Sequence, residues 1–128
     1  MKKFLRMSVA ASAAALALAV PLAAHAATGL VVTTGTCSGS STWMLTVKVD
    51  HPGTLEADVE VQTPAAGELW RSTFRDNGVV FAHGHKTTAA DGSFSLTRFA
   101  VDQTGPDAIK VRSLNTVTGE TCVAKATF

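Results

Sequence analysis

Residues 42–62 read TWMLTVKVDHPGTLEADVEVQ, and this stretch holds the clearest strand pattern in the chain. Apolar residues occupy the odd positions over 43–49 and again over 55–61, with mostly polar residues between them. Such alternation places successive side chains on opposite faces of a strand. We predict two strands joined by a turn at residues 51–54 (HPGT), with the odd positions in the core. The even positions of the second strand place three carboxylates on one solvent-exposed face: Glu56, Asp58 and Glu60.

The next signal outward is a hairpin turn at residues 76–79, which read Asp-Asn-Gly-Val. Asn-Gly accepts the positive φ angles of a type I′ turn, so the flanking strands are predicted to pair tightly. A two-residue turn fixes the register, and directly opposed residues share a face. The predicted pairs on one face are Phe74 with Phe81, Ser72 with His83, and Trp70 with His85.

Further short strands follow this hairpin. After Asp91-Gly92, an apolar alternation changes phase between Leu96 and Phe99, and a β-bulge near Thr97 and Arg98 is the predicted cause. Turn residues recur every ~8 to 12 positions, the spacing typical of an all-β sandwich or barrel. The predicted fold class is all-β, an antiparallel β-sandwich of about seven or eight strands in one domain.

The N-terminus has the three parts of a secretory signal peptide. Residues 2–6 carry positive charge, residues 8–20 are uncharged and rich in Ala and Leu, and residues 24–26 (Ala-His-Ala) fit a cleavage site. The apolar stretch is too short to cross a hydrocarbon core, which takes about 20 residues. We predict a signal peptide at 1–26, a mature domain at 27–128 that is secreted or periplasmic, and no stable membrane insertion.

Removal of the leader changes the charge of the chain. Without Lys2, Lys3 and Arg6, 8 of the 11 basic residues remain against 10 acidic residues, a net charge of about −2. Nucleic-acid-binding domains carry a positive footprint. The composition therefore disfavours a nucleic-acid partner.

Cys37 and Cys122 are the two cysteines of the chain. Oxidising compartments favour a disulfide between them, which would join the first and last strands. The chain-entropy model gives such a bond about 4 to 5 kcal/mol. Because no Cys-x-x-Cys pair is present, we predict a structural disulfide without redox activity.

Five segments together resemble a known group of proteins: 37–43 (CSGSSTW), 70–71 (WR), 75–78 (RDNG), 91–94 (DGSF) and 118–122 (TGETC). They resemble small exported bacterial proteins of immunoglobulin-like type whose function is unassigned. The resemblance implies an immunoglobulin-like β-sandwich and supplies no catalytic residues. A more distant similarity, to the enediyne-binding apoproteins, implies a small apolar ligand in a cleft, but those proteins carry two disulfides and this chain can form one.

His83-Gly84-His85 is the strongest candidate for chemistry. Alternate residues of a strand point the same way, so two imidazoles could hold one transition metal if a third ligand lay beside them. The predicted register supplies no third ligand at that point. We therefore predict half-buried strand-end histidines, one of them packed on Trp70, with no metal and no cofactor.

Catalysis is not expected from this chain. It has no Gly-x-Ser-x-Gly elbow and no base with a recognisable orienting acid, and the carboxylates of residues 56–60 are predicted to be solvated. Trp43 and Trp70 share the phase of core residues, so an exposed sugar-binding platform is also disfavoured. A hydrolase is the weakest of the candidate functions.

The function that we predict is an exported, monomeric, non-catalytic binding or interaction module for an unknown protein or small ligand. The alternative is a carrier that holds a small apolar or aromatic ligand in a cleft of the sandwich. The residues predicted to line such a ligand pocket are Trp70, Phe74, Phe81, His83 and His85.

Overall fold

The computed structural model describes residues 29–128, and the predicted signal peptide at 1–26 lies outside them. These described residues form eight strands and no helix. The strands are β1 (Leu30–Thr36), β2 (Thr42–His51), β3 (Thr54–Gln62), β4 (Leu69–Asp76), β5 (Val79–Thr87), β6 (Ser93–Val101), β7 (Ala108–Asn115) and β8 (Thr121–Thr127). Over residues 29–128, then, no helix has the length and hydropathy needed to cross a membrane.

The strands form two four-stranded antiparallel sheets. Sheet A has the order β1-β2-β3-β6, and sheet B has the order β5-β4-β7-β8. The predicted class, an antiparallel β-sandwich of seven or eight strands with one disulfide, is confirmed. The second strand lies beside the third, whereas in an immunoglobulin constant domain it lies beside the fifth, because here β2 and β3 form a hairpin.

The core lies between the two sheets and follows the predicted phase of β2 and β3. Leu45, Val47, Leu55 and Val59 are fully buried, and sheet B contributes its own inward side chains. The largest of these are Trp70, Phe74, Ile109 and Val111. The burial of each such side chain contributes about 1.5 to 3 kcal/mol, so this layer holds the two sheets together.

The ends of strand β2 are less buried than predicted. Val49 is exposed, although it still pairs in register with Leu55, and the register of β2 with β3 shifts only beyond it, between Val49 and His51. Trp43 is half-buried rather than enclosed, and its indole lies directly over Gly35, where an added Cβ would stand 2.5 Å from Cζ2 of the ring. Gly35 is therefore required for the close approach of this tryptophan.

The two open edges of the sandwich are closed by different contacts. On one side, the Cys37–Cys122 disulfide ties the end of β1 to β8, and the Thr33 hydroxyl donates to the Lys125 carbonyl at 2.8 Å. On the other side, Nε of Arg98 in β6 donates to a carbonyl of β5 at 3.0 Å. The predicted disulfide is confirmed.

The turn of the β4–β5 hairpin is as predicted, but the register beyond it is not. Asn77 and Gly78 have φ angles of 49° and 84°, and Asp76 pairs with Val79. Between Phe74 and Arg75 the register then shifts by one residue. The resulting pairs are Phe74 with Ala82, Thr73 with His83, Ser72 with Gly84, Arg71 with His85, and Trp70 with Lys86.

A β-bulge on β5 explains this difference. The extra residue lets Phe81 remain against Phe74, with the ring centroids 5.9 Å apart in an edge-to-face arrangement. Because strand side chains alternate, one inserted residue moves every later side chain to the opposite face. His83 and His85 therefore point outward rather than toward the face of Trp70.

The predicted bulge at Thr97 and Arg98 is wrong. These residues pair in regular register with Asp58 and Ala57 of β3, and β6 keeps one phase throughout. Phe99 is consequently 55% exposed on the outer surface. The apparent change of phase arises because Arg98 occupies an inward position at a sheet edge, where its guanidinium reaches the backbone of β5.

Candidate functional site

The residues predicted to line one ligand pocket lie in two different places. Trp70 and Phe74 are fully buried in the core, where Trp70 also packs on Phe94 with the ring centroids 5.5 Å apart. Phe81 is half-buried at the edge of that core. His83 and His85 are exposed on the outer face of sheet B. The structure therefore brings the three aromatic residues together but separates the histidines from them.

The histidines instead line a shallow groove on the outer face of sheet B. His85 pairs across the strands with Arg71, and His83 pairs with Thr73. Together with Arg98 these residues line a hollow of about 500 Å³. We call it the histidine groove; every ionisable side chain on its rim is an arginine or a histidine, so it offers donors and positive charge.

The rest of this outer face is also positively charged. The sequences of β4, β5, β7 and β8 contain a single carboxylate, that of Asp76, and it points inward and is buried. The outward positions of the same strands carry five cations, which define what we call the basic face: Arg71, Arg75, Lys110, Arg112 and Lys125. Within residues 29–128 none of these five has a carboxylate at ion-pair distance.

Three cations of the basic face stand side by side on adjacent strands. Arg75 lies opposite Lys110, and Lys110 lies opposite Lys125. Gly78 and Thr127 join them around a hollow of about 270 Å³, which we call the three-cation pocket. Like charges directly opposed across strands destabilise a sheet. A compact anion bound between these side chains would remove that repulsion.

The outer face of sheet A has the opposite character. Glu56, Asp58 and Glu60 share this face, as predicted, and we call it the acidic face. Its charges are partly partnered, because Lys48 lies 3.4 Å from Glu56 and the Thr97 hydroxyl donates to Asp58 at 3.2 Å.

A group of carboxylates lies at one end of the sandwich, away from both faces. Asp107 is fully buried and accepts backbone hydrogen bonds from Gln103 at 3.2 and 3.3 Å. Burial raises the pKa of Asp107, and the neighbouring Asp76 carboxyl raises it further. A hydrogen bond with Asp107 raises the pKa of Asp102.

Asp76 has no hydrogen-bond donor at either carboxylate oxygen among the described residues, although both atoms are buried. Two carboxylates repel each other unless one of them carries a proton. This repulsion is one of the causes that raise the pKa of Asp107, after its burial. Over residues 29–128 no three His, Cys, Asp or Glu side chains are grouped to hold a metal ion.

The sequence analysis missed the basic face, although its signal is present in the chain. Arg71 and Arg75 share one phase of their strand, and Lys110 and Arg112 share one phase of theirs. The missing information was that these strands are neighbours in one sheet, with β8 and Lys125 beside them.

Comparison with known proteins adds no family to this description. No protein-family model matches the chain, and no curated protein matches it. The resemblance to small exported immunoglobulin-like proteins stays a prediction.

Proposed function

We propose that this chain is an exported, non-catalytic binding module that holds an anionic partner on its basic face. The observation that carries the proposal is the row formed by Arg75, Lys110 and Lys125, three cations directly opposed on adjacent strands. Such a row reduces the stability of the free domain by about 0.2 to 1 kcal/mol for each opposed pair. A partner that supplies negative charge offsets this cost on binding.

The chemistry of the basic face supports binding rather than reaction. Guanidinium and ammonium groups are donors that remain protonated at neutral pH, and near an anionic surface each contributes about 1 kcal/mol. The histidine groove adds imidazole donors, and over residues 29–128 no carboxylate lies at ion-pair distance from His83 or His85. The described histidine that has such a partner is His51, at the turn between β2 and β3 and outside the basic face. Its Nδ1 lies 2.7 Å from an Asp50 carboxylate oxygen, and its Nε2 lies 3.0 Å from the Thr54 hydroxyl.

The alternative function, a carrier of a small apolar ligand, is supported by a different feature. Trp43 and Met44 line a hollow of about 410 Å³ on sheet A, together with Gly35, three threonines, Glu60 and Gln62. Trp70 and Phe74 offer no comparable opening, since both are fully buried. A carrier would therefore use Trp43, and a Trp43→Ala variant that still binds a small aromatic probe as well as the wild type would exclude it.

Retention on an immobilised sulfated polysaccharide, eluted with a salt gradient, tests the proposed function. The variant Lys110→Gln/Lys125→Gln removes two charges from the three-cation pocket and should elute at clearly lower salt than the wild type. The matched control Lys48→Gln/Lys86→Gln removes the same charge elsewhere. Lys48 faces outward on sheet A beside Glu56, and Lys86 lies in the inward phase of β5, opposite Trp70. Equal elution of the two variants would overturn the proposal.

A further inference from the structure

The acidic face and the basic face have matching layouts. Glu56, Asp58 and Glu60 alternate along β3, a central strand of sheet A. Four residues of strand span roughly 13 Å, so this carboxylate row has about the same length as the distance along β4 from Arg71 to Arg75. Four of the five cations also lie on central strands, because β4 and β7 are the inner strands of sheet B, and Lys125 lies on the edge strand β8.

Apolar side chains flank the charges on both faces. On sheet A, Phe99 lies opposite Glu56, and Met44 lies opposite Glu60. On sheet B, Val123 lies opposite Arg112 on the β8 side, and Val80 lies opposite Arg75 on the β5 side. All four apolar side chains are exposed. A charged centre with an apolar border on each face is suited to contact between the two.

We propose that the anionic partner of the basic face is the acidic face of a second copy of this chain, so that molecules associate head to tail. This inference rests on the proposed function and names its partner. It differs from the monomer expected from the sequence, because net charge conceals the separation of charge between the two faces. A contact between unlike faces of identical molecules does not close on itself, and it therefore extends into chains.

The size of the faces sets the strength of this contact. Four strands at about 4.8 Å spacing, each of about eight residues at 3.3 Å, make a face of roughly 19 Å by 26 Å. This is smaller than the ~800 Å² per partner of a standard stable interface. The association is accordingly weak, reversible and sensitive to salt, because screening reduces the attraction between the faces.

Sedimentation velocity over a range of concentrations, at low and at high salt, tests the inference. The wild-type protein should show a concentration-dependent rise in mean mass at low salt, and its association should weaken at least tenfold at high salt. Asp58→Lys/Glu60→Lys on the acidic face and Lys110→Glu/Arg112→Glu on the basic face should each reduce association at least tenfold. Lys86→Glu, which changes charge in the inward phase of β5, should leave it unaltered.

Mixing the two reversed variants gives the decisive measurement. The first variant retains a native basic face and the second retains a native acidic face, so the mixture should associate again, because contacts between unlike molecules then join faces of opposite charge. Restored association also shows that both variants are folded. A mixture that stays monomeric, or a wild type that stays monomeric at every concentration, overturns the inference.

The inference and the proposed function can fail separately. A monomeric wild type that is still retained on the sulfated polysaccharide, through Lys110 and Lys125, would support a different anionic partner and would overturn self-association alone. A protein that neither associates nor is retained would overturn both. Binding to vesicles of anionic lipid is a further measurement. If the wild type binds them and the basic-face variant does not, the partner of the basic face is a membrane surface instead of a second copy.

Discussion

The outer faces of the two sheets have the same strand geometry and opposite electrostatics. On sheet A two of the three carboxylates have partners within the face, since Lys48 lies 3.4 Å from Glu56 and the Thr97 hydroxyl donates to Asp58. On sheet B, Arg75, Lys110 and Lys125 are neighbours of like sign with no carboxylate at ion-pair distance among the described residues. The net charge of about −2 over residues 29–128 is thus an average over two surfaces of opposite sign.

The inward faces of the sheets differ as well. Apart from Arg98 at its edge, sheet A presents an apolar inner surface, whereas sheet B also buries polar groups: Ser72, Asp76, Ser113 and Asn115. The hydroxyls of Ser72 and Ser113 lie 2.7 Å apart and satisfy each other. Sheet B therefore carries more polar groups than sheet A on its inner side and more unpaired charge on its outer side. Both features lower the free energy of unfolding of the domain. Binding explains such a surface more readily than stability does.

The largest expected effect concerns the bond that holds the two sheets in this arrangement. Cys37→Ala/Cys122→Ala opens a loop with a sequence separation of 85 residues, and the free energy of unfolding should fall by about 4 to 5 kcal/mol. Urea unfolding measures the change, and the reduced wild type is the control. A loss of less than about 1 kcal/mol in the free energy of unfolding would show that packing alone holds sheet A against sheet B.

The next effect tests the polar inner side of sheet B. Ser72→Ala leaves the buried Ser113 hydroxyl without its partner, so the free energy of unfolding should fall by about 1 to 3 kcal/mol. In Ser72→Ala/Ser113→Ala no hydroxyl remains to be left unpaired, and part of the loss should be recovered. If the loss in the double variant equals the sum of the losses in the two single variants, the two hydroxyls do not stabilise each other.

A smaller effect should have opposite signs on the two outer faces. Lys110→Glu converts a repulsive row into an attractive one and should stabilise the domain by about 0.2 to 1 kcal/mol, while it weakens binding. Lys48→Gln removes an ion pair from sheet A and should destabilise by about 0 to 1 kcal/mol. Thermal unfolding of both variants measures the difference. A destabilising Lys110→Glu would mean that the cation row has a structural role.

The smallest effect is a change in pH dependence. The pKa of Asp107 and that of Asp102 are raised in the folded state, so the folded protein binds more protons than the unfolded chain. Their contribution to stability is fully present below the ordinary value of 3.8 and is lost as the pH rises through the raised pKa values. Asp76→Asn removes one of the repelling carboxylates.

Denaturant unfolding measures the free energy of unfolding as the pH rises from acidic to neutral. The part of its decline that is due to Asp102 and Asp107 should be smaller in Asp76→Asn than in the wild type. Glu120 provides the contrast. Burial works to raise its pKa, but hydrogen bonds from Ser41 and Gly39 outweigh burial and lower it. Its contribution is present above its ordinary value of 4.5 and is lost as the pH falls through the lowered pKa, so Glu120→Gln should change the slope in the opposite direction. Identical slopes in all three proteins would contradict the assignment.

Much of the fold could be predicted from local pattern. The alternation of residues 43–61 gave the inward phase of β2 and β3, and Asn77-Gly78 gave the turn between β4 and β5, because both signals depend on neighbours in the chain. The bulge at Phe81 could not be predicted in this way. It depends on the packing of Phe81 against Phe74, which is a contact across the hairpin, and it reversed the orientation of His83 and His85.

The candidate site was the least predictable part of the molecule. Its cations come from β4, β7 and β8. The connection from β7 to β8 is short, but β5 and β6 lie between β4 and β7 in the chain, so no local signal determines that β4 pairs with β7. The residues of the predicted ligand pocket also lie apart because of tertiary packing. Trp70 and Phe74 fill the core between the sheets, whereas His83 and His85 lie on the outer face of sheet B.

The sequence by itself determined the alternation of the strands, the hairpin turn and the two cysteines available for a disulfide, because these follow from residue type and short-range spacing. Only the tertiary structure decided which strands became neighbours. The resulting strand order placed Arg75, Lys110 and Lys125 in one row and three carboxylates on the opposite face. The physical reason is that apolar burial selects the inward side of each strand and leaves the outward side chains to be grouped by strand order.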